Sequence, residues 1–247
     1  MLLFIFIFGL IIGSFLNVCI YRIPAGKSIA TPPSSCGSCG TRLKPLDLFP
    51  IVSWIFLGGK CRYCGESIAI RYPFVELMTG LLFSVVFWQY GMDKVLLPYL
   101  TLTAILISIT FIDLDHQIIP NKINLFALGG FLVFNIILGY INWTDSLLGA
   151  LIGGGFLFLL VIISKGAAMG MGDVKLMAVL GLYLGWTSII LTLLLSFIIG
   201  GVFGVLLLVL KIKGRKDAIP FGPWIAIAAF VTIVFGSNIL TWYIALL

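Results

Sequence analysis

An all-α polytopic membrane protein is the fold class this 247-residue sequence predicts, with about eight transmembrane helices and one small cytoplasmic loop domain. Three observations carry that expectation. Hydrophobic residues make up 61% of the chain and charged residues 10%, whereas a soluble domain carries about 25% charged residues. Apolar runs near spanning length recur from one end to the other. The basic residues fall almost entirely on alternate connecting segments. In such a chain the net charge of +6 reports topology, so the bilayer is an expected partner and nucleic acid is not.

The apolar runs cover residues 2–20, 73–90, 95–112, 124–141, 146–164, 175–186, 187–210 and 223–245. The first lacks a basic n-region and is long enough to span, so it reads as a helix rather than a removable signal peptide. The third runs to Asp113, after which Pro120-Asn121 ends or restarts the helix. The sixth is the weakest of the eight, brief and interrupted by glycine, with a half-helix as the alternative. Gly153-Gly154-Gly155 in the fifth signals close helix packing rather than a nucleotide loop, since no strand precedes it.

With the N-terminus outside, the inside segments are 21–72, 113–123, 165–175 and 211–222, and they hold 14 of the 15 Lys and Arg. Lys94 alone lies outside. This is the positive-inside pattern at nearly full strength. It puts Asp113, Asp115 and Asp173 at cytoplasmic helix ends. Three parts follow: a first transmembrane helix (1–20), a cytoplasmic loop (21–72) and a membrane core (73–247).

The loop is too short to bury much core and needs a staple. It holds Cys36-Gly37-Ser38-Cys39 and Cys61-Arg62-Tyr63-Cys64. Each knuckle brings two thiolates to one ion from a tight turn, and two knuckles complete a tetrahedral shell. In a reducing compartment zinc is the natural occupant, and four cysteines leave no open position, so its role is structural. The alternatives are unligated cysteines or a redox dithiol, the latter without the βαβ context it would want. The fifth cysteine, Cys19, sits in an apolar helix and reads as packing.

Two acids sit where charge is costly, about 2.5–3.5 kcal/mol at a helix centre. They are Asp113, closing the third run, and Asp173, in Gly170-Met171-Gly172-Asp173. Two carboxylates that share a proton can activate water and protonate a carbonyl, the chemistry of an aspartic peptidase. No other hydrolytic arrangement is present: the single histidine is His116, and neither a GxSxG elbow nor an HExxH helix occurs. Gly170 and Gly172 allow close backbone approach. Asp173 opens a helix whose dipole favours the anion, and Lys175 is expected to add positive charge beside it. Asp115, Asp93 and Asp145 read as interfacial caps or outer-loop residues, and His116 as a surface or hydrogen-bonding residue.

In order along nearly the whole chain, the motifs resemble those of the bacterial type IV prepilin peptidases, the leader peptidase/N-methyltransferases among the GxGD aspartic membrane proteases. The opening Gly13-Ser14-Phe15-Leu16-Asn17-Val18 with Arg22 and Pro24, the two CxxC pairs with Ser53-Trp54 between them, Arg71-Tyr72-Pro73-Phe74-Val75-Glu76, Asp113 followed by Ile119-Pro120, and Gly170 to Leu176 each match a family segment. The resemblance implies catalytic Asp113 and Asp173, the choice of Asp113 over Asp115 resting on it alone, and zinc on Cys36, Cys39, Cys61 and Cys64. It implies a bacterial inner-membrane enzyme with a cytoplasm-facing site that cuts the leader from type IV prepilins or pseudopilins, typically after Gly and before Phe. It also implies methylation of the new N-terminal amine from S-adenosylmethionine. For that donor the sequence offers Glu76, Arg71, Asn17 and Arg22 near the loop–membrane junction, with Arg22 and Arg71 reading equally as interfacial anchors. Competing readings are a peptidase without methyl transfer, a proton-coupled transporter, which would show internal repeats and acids at mid-bilayer, and a non-catalytic zinc-loop scaffold.

Overall fold

The computed structural model of the chain describes residues 1–166, 169–212, 214 and 219–246. The basic residues Lys213, Arg215 and Lys216, counted above among the inside charges, lie outside the described residues. The regular elements are α1 (Leu2–Arg22), a 3-10 turn (Pro45–Asp47), α2 (Val52–Phe56), α3 (Arg71–Tyr90), α4 (Leu96–His116), α5 (Asn121–Leu138), α6 (Trp143–Ile163), α7 (Met171–Val209) and α8 (Gly222–Ile244). Among the described residues, strand-like pairing is limited to two isolated bridges, Ser35–Arg42 and Lys60–Ser67, each enclosing one cysteine knuckle. Every helix except α2 is long and apolar enough to cross a membrane, seven in all among the described residues. The outward faces are apolar too: α6 exposes Leu147, Leu151, Phe158 and Ile162 where a soluble helix would set charges. The chain is a multi-pass membrane protein.

The chain divides into two compact units, Met1–Leu96 and Leu97–Leu247. In the first, α1 packs along α3 with opposite direction, Gly9 facing Gly80 and Gly13 facing Glu76. A Cβ on Gly9 would stand 2.7 Å from the Gly80 Cα, so the two backbones touch. Gly9 and Gly13 form a small-xxx-small pair, the spacing that lets apolar helices approach in a solvent as apolar as their side chains.

In the second unit the long helix α7 cannot be one span. Its 39 residues would run about 58 Å at 1.5 Å per residue, against a hydrocarbon core of about 30 Å. It breaks at Gly185, where φ is 78° and ψ is 173°, a region open essentially to glycine only. The contacts with α6 show that the chain reverses there. Before Gly185, Gly149 of α6 faces Gly181, Gly153 faces Met177 and Gly154 faces Val174, so numbering runs in opposite senses. After it, Gly149 reaches Gly185, Gly153 reaches Ile189 and Phe156 meets Phe197 edge-on, centroids 6.1 Å apart, so numbering runs together. The expected sixth and seventh runs are therefore two limbs of one helical element, turned by a single glycine without a loop. Of the three consecutive glycines in α6, Gly153 and Gly154 take part in this packing and Gly155 faces open space.

Candidate active site

Four helix ends of the second unit meet at one place. Asp113 lies in the last turn of α4 and Asp173 in the first turn of α7. Between α4 and α5 the chain turns through Gln117, at φ 54°, and Ile119 comes to rest against Gly172: a Cβ on Gly172 would be 3.0 Å from that of Ile119. The Lys175 ammonium donates to the Asn121 side chain at 2.9 Å, tying the start of α7 to the start of α5. The start of α8 joins through the Gly222 N–H, which donates to Oδ2 of Asp113 at 2.9 Å.

Both acids are buried, Asp113 at 4% exposure and Asp173 at 8%. Asp173 accepts from the Gly170 N–H through Oδ2 at 3.1 Å. That bond is the carboxylate half of a capping box, and glycine has no side chain to return the other half. The charge of Asp113 bears on Asp173 across the site. No lysine or arginine pairs with either acid among the described residues. Lys175 departs from the expectation that it would stand beside Asp173. Two residues along a helix is a rotation of about 200°, so Lys175 points away from that acid and engages Asn121 instead. Asp115 and His116 are exposed at the end of α4. Two buried carboxylates near enough for one to feel the other's charge, each held by a backbone N–H and neither paired with a cation among the described residues, are the groups that acid–base chemistry on a carbonyl requires.

Gly222 is the site residue that sequence reasoning passed over. Phe221-Gly222-Pro223 carries the signal of a helix start, with proline in the first turn. Nothing local in it says that its N–H faces an acid 109 positions earlier.

The cysteines of the first unit also converge. The sulfurs of Cys36, Cys39, Cys61 and Cys64 lie within 4.8 Å of one another, and those of Cys36 and Cys64 are 3.8 Å apart. Four Zn–S bonds of about 2.3 Å at tetrahedral angles put sulfurs about 3.8 Å apart, so the donor set fits a zinc-sized cation. The Thr41 hydroxyl and backbone pull the Cys39 thiol down to about 6. The backbone N–H groups of Tyr63 and Cys64 lower that of Cys61. The Glu66 N–H draws Cys64 down, but burial and its neighbouring sulfurs push it up to about 12. Cys19 is buried within α1, as its packing role requires.

The four polar candidates near the loop separate. Glu76, on α3, is 8% exposed and accepts the Ile51 N–H at 2.7 Å. Asn17, on α1, donates to the Tyr72 carbonyl at 3.1 Å, one turn from Glu76 along the same interface. Arg22 turns to the Ser28 carbonyl at 3.0 Å. Arg71 is half-buried at the start of α3.

Residues 7–90 match the family model described as the Bacterial Peptidase A24 N-terminal domain, and residues 100–205 match that of the Type IV leader peptidase family. The chain is 36% identical over 270 residues to the prepilin leader peptidase/N-methyltransferase of Aeromonas salmonicida (strain A449), covering 98% of this chain and 93% of that protein. It is 37% identical over 246 residues to the protein of the same name from Bacillus subtilis (strain 168), covering 99% and 98%. It is 35% identical over 263 residues to that of Pseudomonas aeruginosa, covering 96% and 91%. No solved structure matches the chain.

Proposed function

Because the chain belongs to the type IV leader peptidase family, we propose that it removes the leader from type IV prepilins or pseudopilins at the inner face of the cytoplasmic membrane and methylates the amine it exposes. The observation that carries the proteolytic half is the convergence of Asp113 and Asp173, buried at one end of the second unit.

In this reading the pair holds one proton between them, since like charges a few Å apart do not both ionise, and it titrates as a unit. The ionised carboxylate takes a proton from water while the water oxygen adds to the scissile carbonyl carbon. The protonated one gives its proton to the carbonyl oxygen. When the tetrahedral intermediate breaks, the C–N bond cleaves with a proton delivered to the new amine, and the pair is restored. The Gly222 and Gly170 N–H groups fix the orientation of the two acids without neutralising them. The positive-inside distribution supports placing this end at the cytoplasmic face. Substrates of this kind carry a basic leader followed by an apolar helix, and cleavage between Gly and Phe releases the helix with a free N-terminus.

We assign methyl transfer to the first unit, whose residues 7–90 match the N-terminal family model. S-adenosylmethionine supplies the methyl group when bound. Zinc held by Cys36, Cys39, Cys61 and Cys64 would order the loop. Glu76, Asn17, Arg71 and Arg22 are the polar side chains around the loop–membrane junction. Two of the four meet partners from another segment: Glu76 accepts from the loop's Ile51 N–H, and Asn17 donates to the Tyr72 carbonyl across the α1–α3 seam. The deciding assay incubates the full-length protein in detergent with a prepilin, with and without labelled methyl donor. Asp113→Asn and Asp173→Asn are each expected to lower cleavage at least roughly a thousandfold, within the range for losing an acid–base group. Undiminished cleavage in either variant removes that acid from the pair. Cleavage without label incorporation leaves a peptidase only.

A further inference from the structure

We propose that Glu76 is a positioning residue: through the Ile51 N–H it holds the cysteine loop in a strained turn against the α1–α3 pair, and Asp47 carries that grip to the second knuckle. The part assigned to methyl transfer rests on the reading that the first unit performs that reaction.

Ile51 is the most strained point of the loop. Its φ is 61° and ψ −50°, and the Val52 N–H closes onto the Pro50 carbonyl across it. That is the rarer, strained form of γ-turn, and a β-branched residue at positive φ is an outlier. Such a conformation persists only where its surroundings over-determine it. What determines it here is Glu76. The carboxylate is buried on the second turn of α3 and covered by the α1 backbone, with a Cβ on Gly13 standing only 2.7 Å from the Glu76 Cα. It accepts the Ile51 N–H at 2.7 Å, and the Ser14 hydroxyl of α1 bonds to the same carboxylate. A buried acid held from both sides is placed to organise backbone rather than to meet a ligand.

Four residues before Ile51 the grip passes to the metal knuckle. Asp47 closes the 3-10 turn, its side chain 4% exposed. Its Oδ1 accepts from Arg62 Nε at 2.6 Å, and its Oδ2 from the Tyr63 hydroxyl at 2.9 Å and the Lys44 N–H at 3.0 Å. Arg62 and Tyr63 are the two residues between Cys61 and Cys64. On the far side of Ile51, Trp54 donates to the Ile68 carbonyl at 3.0 Å, just beyond the same knuckle. Two sets of side-chain contacts, joined by the short stretch of chain from Asp47 to Ile51, thus connect an acid on a membrane helix to the two residues between Cys61 and Cys64.

The test uses the full-length, zinc-loaded protein in detergent. Amide exchange of the segment around Ile51 is followed by mass spectrometry, and cysteine exposure by the rate of alkylation. Glu76→Ala removes the acceptor and is expected to speed exchange and alkylation roughly tenfold or more. Glu76→Gln keeps an acceptor oxygen and is expected to stay within about threefold of the native rates, with methyl-donor affinity also kept. Ile51→Gly placed in the Glu76→Ala chain accepts positive φ without strain and should return alkylation to within about threefold. Asp47→Ala should speed zinc loss to a chelator. Should Glu76→Ala fail to fold, Glu76→Gln alone decides, because a residue that contacts the donor by charge would lose donor affinity there while Ile51 exchange stayed native. That result overturns the proposal, as does unchanged exchange in Glu76→Ala. The exchange and alkylation readouts need no catalysis, so they stand or fall apart from the assigned reactions.

Discussion

The Gly222→Ala substitution bears most directly on how the site is built. A Cβ added at Gly222 would stand 2.7 Å from Oδ2, 3.1 Å from Cγ and 3.3 Å from Cβ of Asp113, where ordinary contact begins at 3.4 Å. The carboxylate must therefore retreat by 3.4 less 2.7, about 0.7 Å. Asp113 is short, so this cannot be absorbed at the far end of a flexible chain. The retreat stretches or breaks the 2.9 Å bond from the Gly222 N–H. A hydrogen bond to a charged group contributes about 1.5–3 kcal/mol, which at about 1.4 kcal/mol per decade is roughly ten- to a hundredfold in rate. Misplacing a reacting group by about 1 Å costs a comparable factor. Purified protein in detergent is assayed for prepilin cleavage over a range of substrate concentrations up to saturation, with thermal unfolding as the check on folding. The expected result is a fall in kcat of that size with little change in KM. Gly155→Ala, where a Cβ meets nothing within 4 Å, serves as control and should cleave like the native chain. Cleavage by Gly222→Ala within threefold of the control would refute the view that this N–H sets the acid.

Three further outcomes follow, one from the helix packing and two from the cysteine loop. A Cβ at Gly149 would fall on the Gly181 carbonyl, and Gly185 sits at φ 78°; Gly149→Ala and Gly185→Ala are each expected to lower stability by about 1–3 kcal/mol, read as a lower unfolding midpoint in detergent, whereas Gly155→Ala is not. In the loop, Cys36→Ser should abolish bound zinc by elemental analysis. The Arg62 guanidinium and the Lys44 N–H hold the Asp47 carboxyl below its ordinary range. Its contribution to loop order is therefore fully present above about pH 4, the unfolded carboxylate value, and is lost only as pH falls through the lower folded value. Comparing alkylation of native and Asp47→Asn protein checks this: a gap near neutral pH that closes in acid is expected, and no gap at any pH contradicts it.

The two knuckles and the Gly170–Asp173 turn are legible in the sequence because each depends on residues that are neighbours, whereas singling out Asp113 from Asp115 takes the family resemblance. Cys36 with Cys39, Cys61 with Cys64, and Gly170 to Asp173 declare their chemistry within four positions. Asp113 and Asp173 need the charge count of the loops to be put on one face, and that too is a sum along the chain. The partners of these groups are not legible. Proximity in sequence sets Lys175 beside Asp173, and the helical rotation sends it to Asn121 instead. The reversal at Gly185 shows in the sequence only as a weak, glycine-interrupted run.

What the sequence alone determined is the class, the helical runs and the chemical groups available, since transfer into a bilayer is nearly additive over local stretches. What only the tertiary structure decided is contact: Gly222 against Asp113, Ile51 against Glu76, Gly149 against Gly181. In lipid an apolar side chain is as content facing an acyl chain as facing another helix. The pattern that marks a buried face in a soluble protein is therefore missing, and close approach is set by glycines and single hydrogen bonds between residues far apart in the chain.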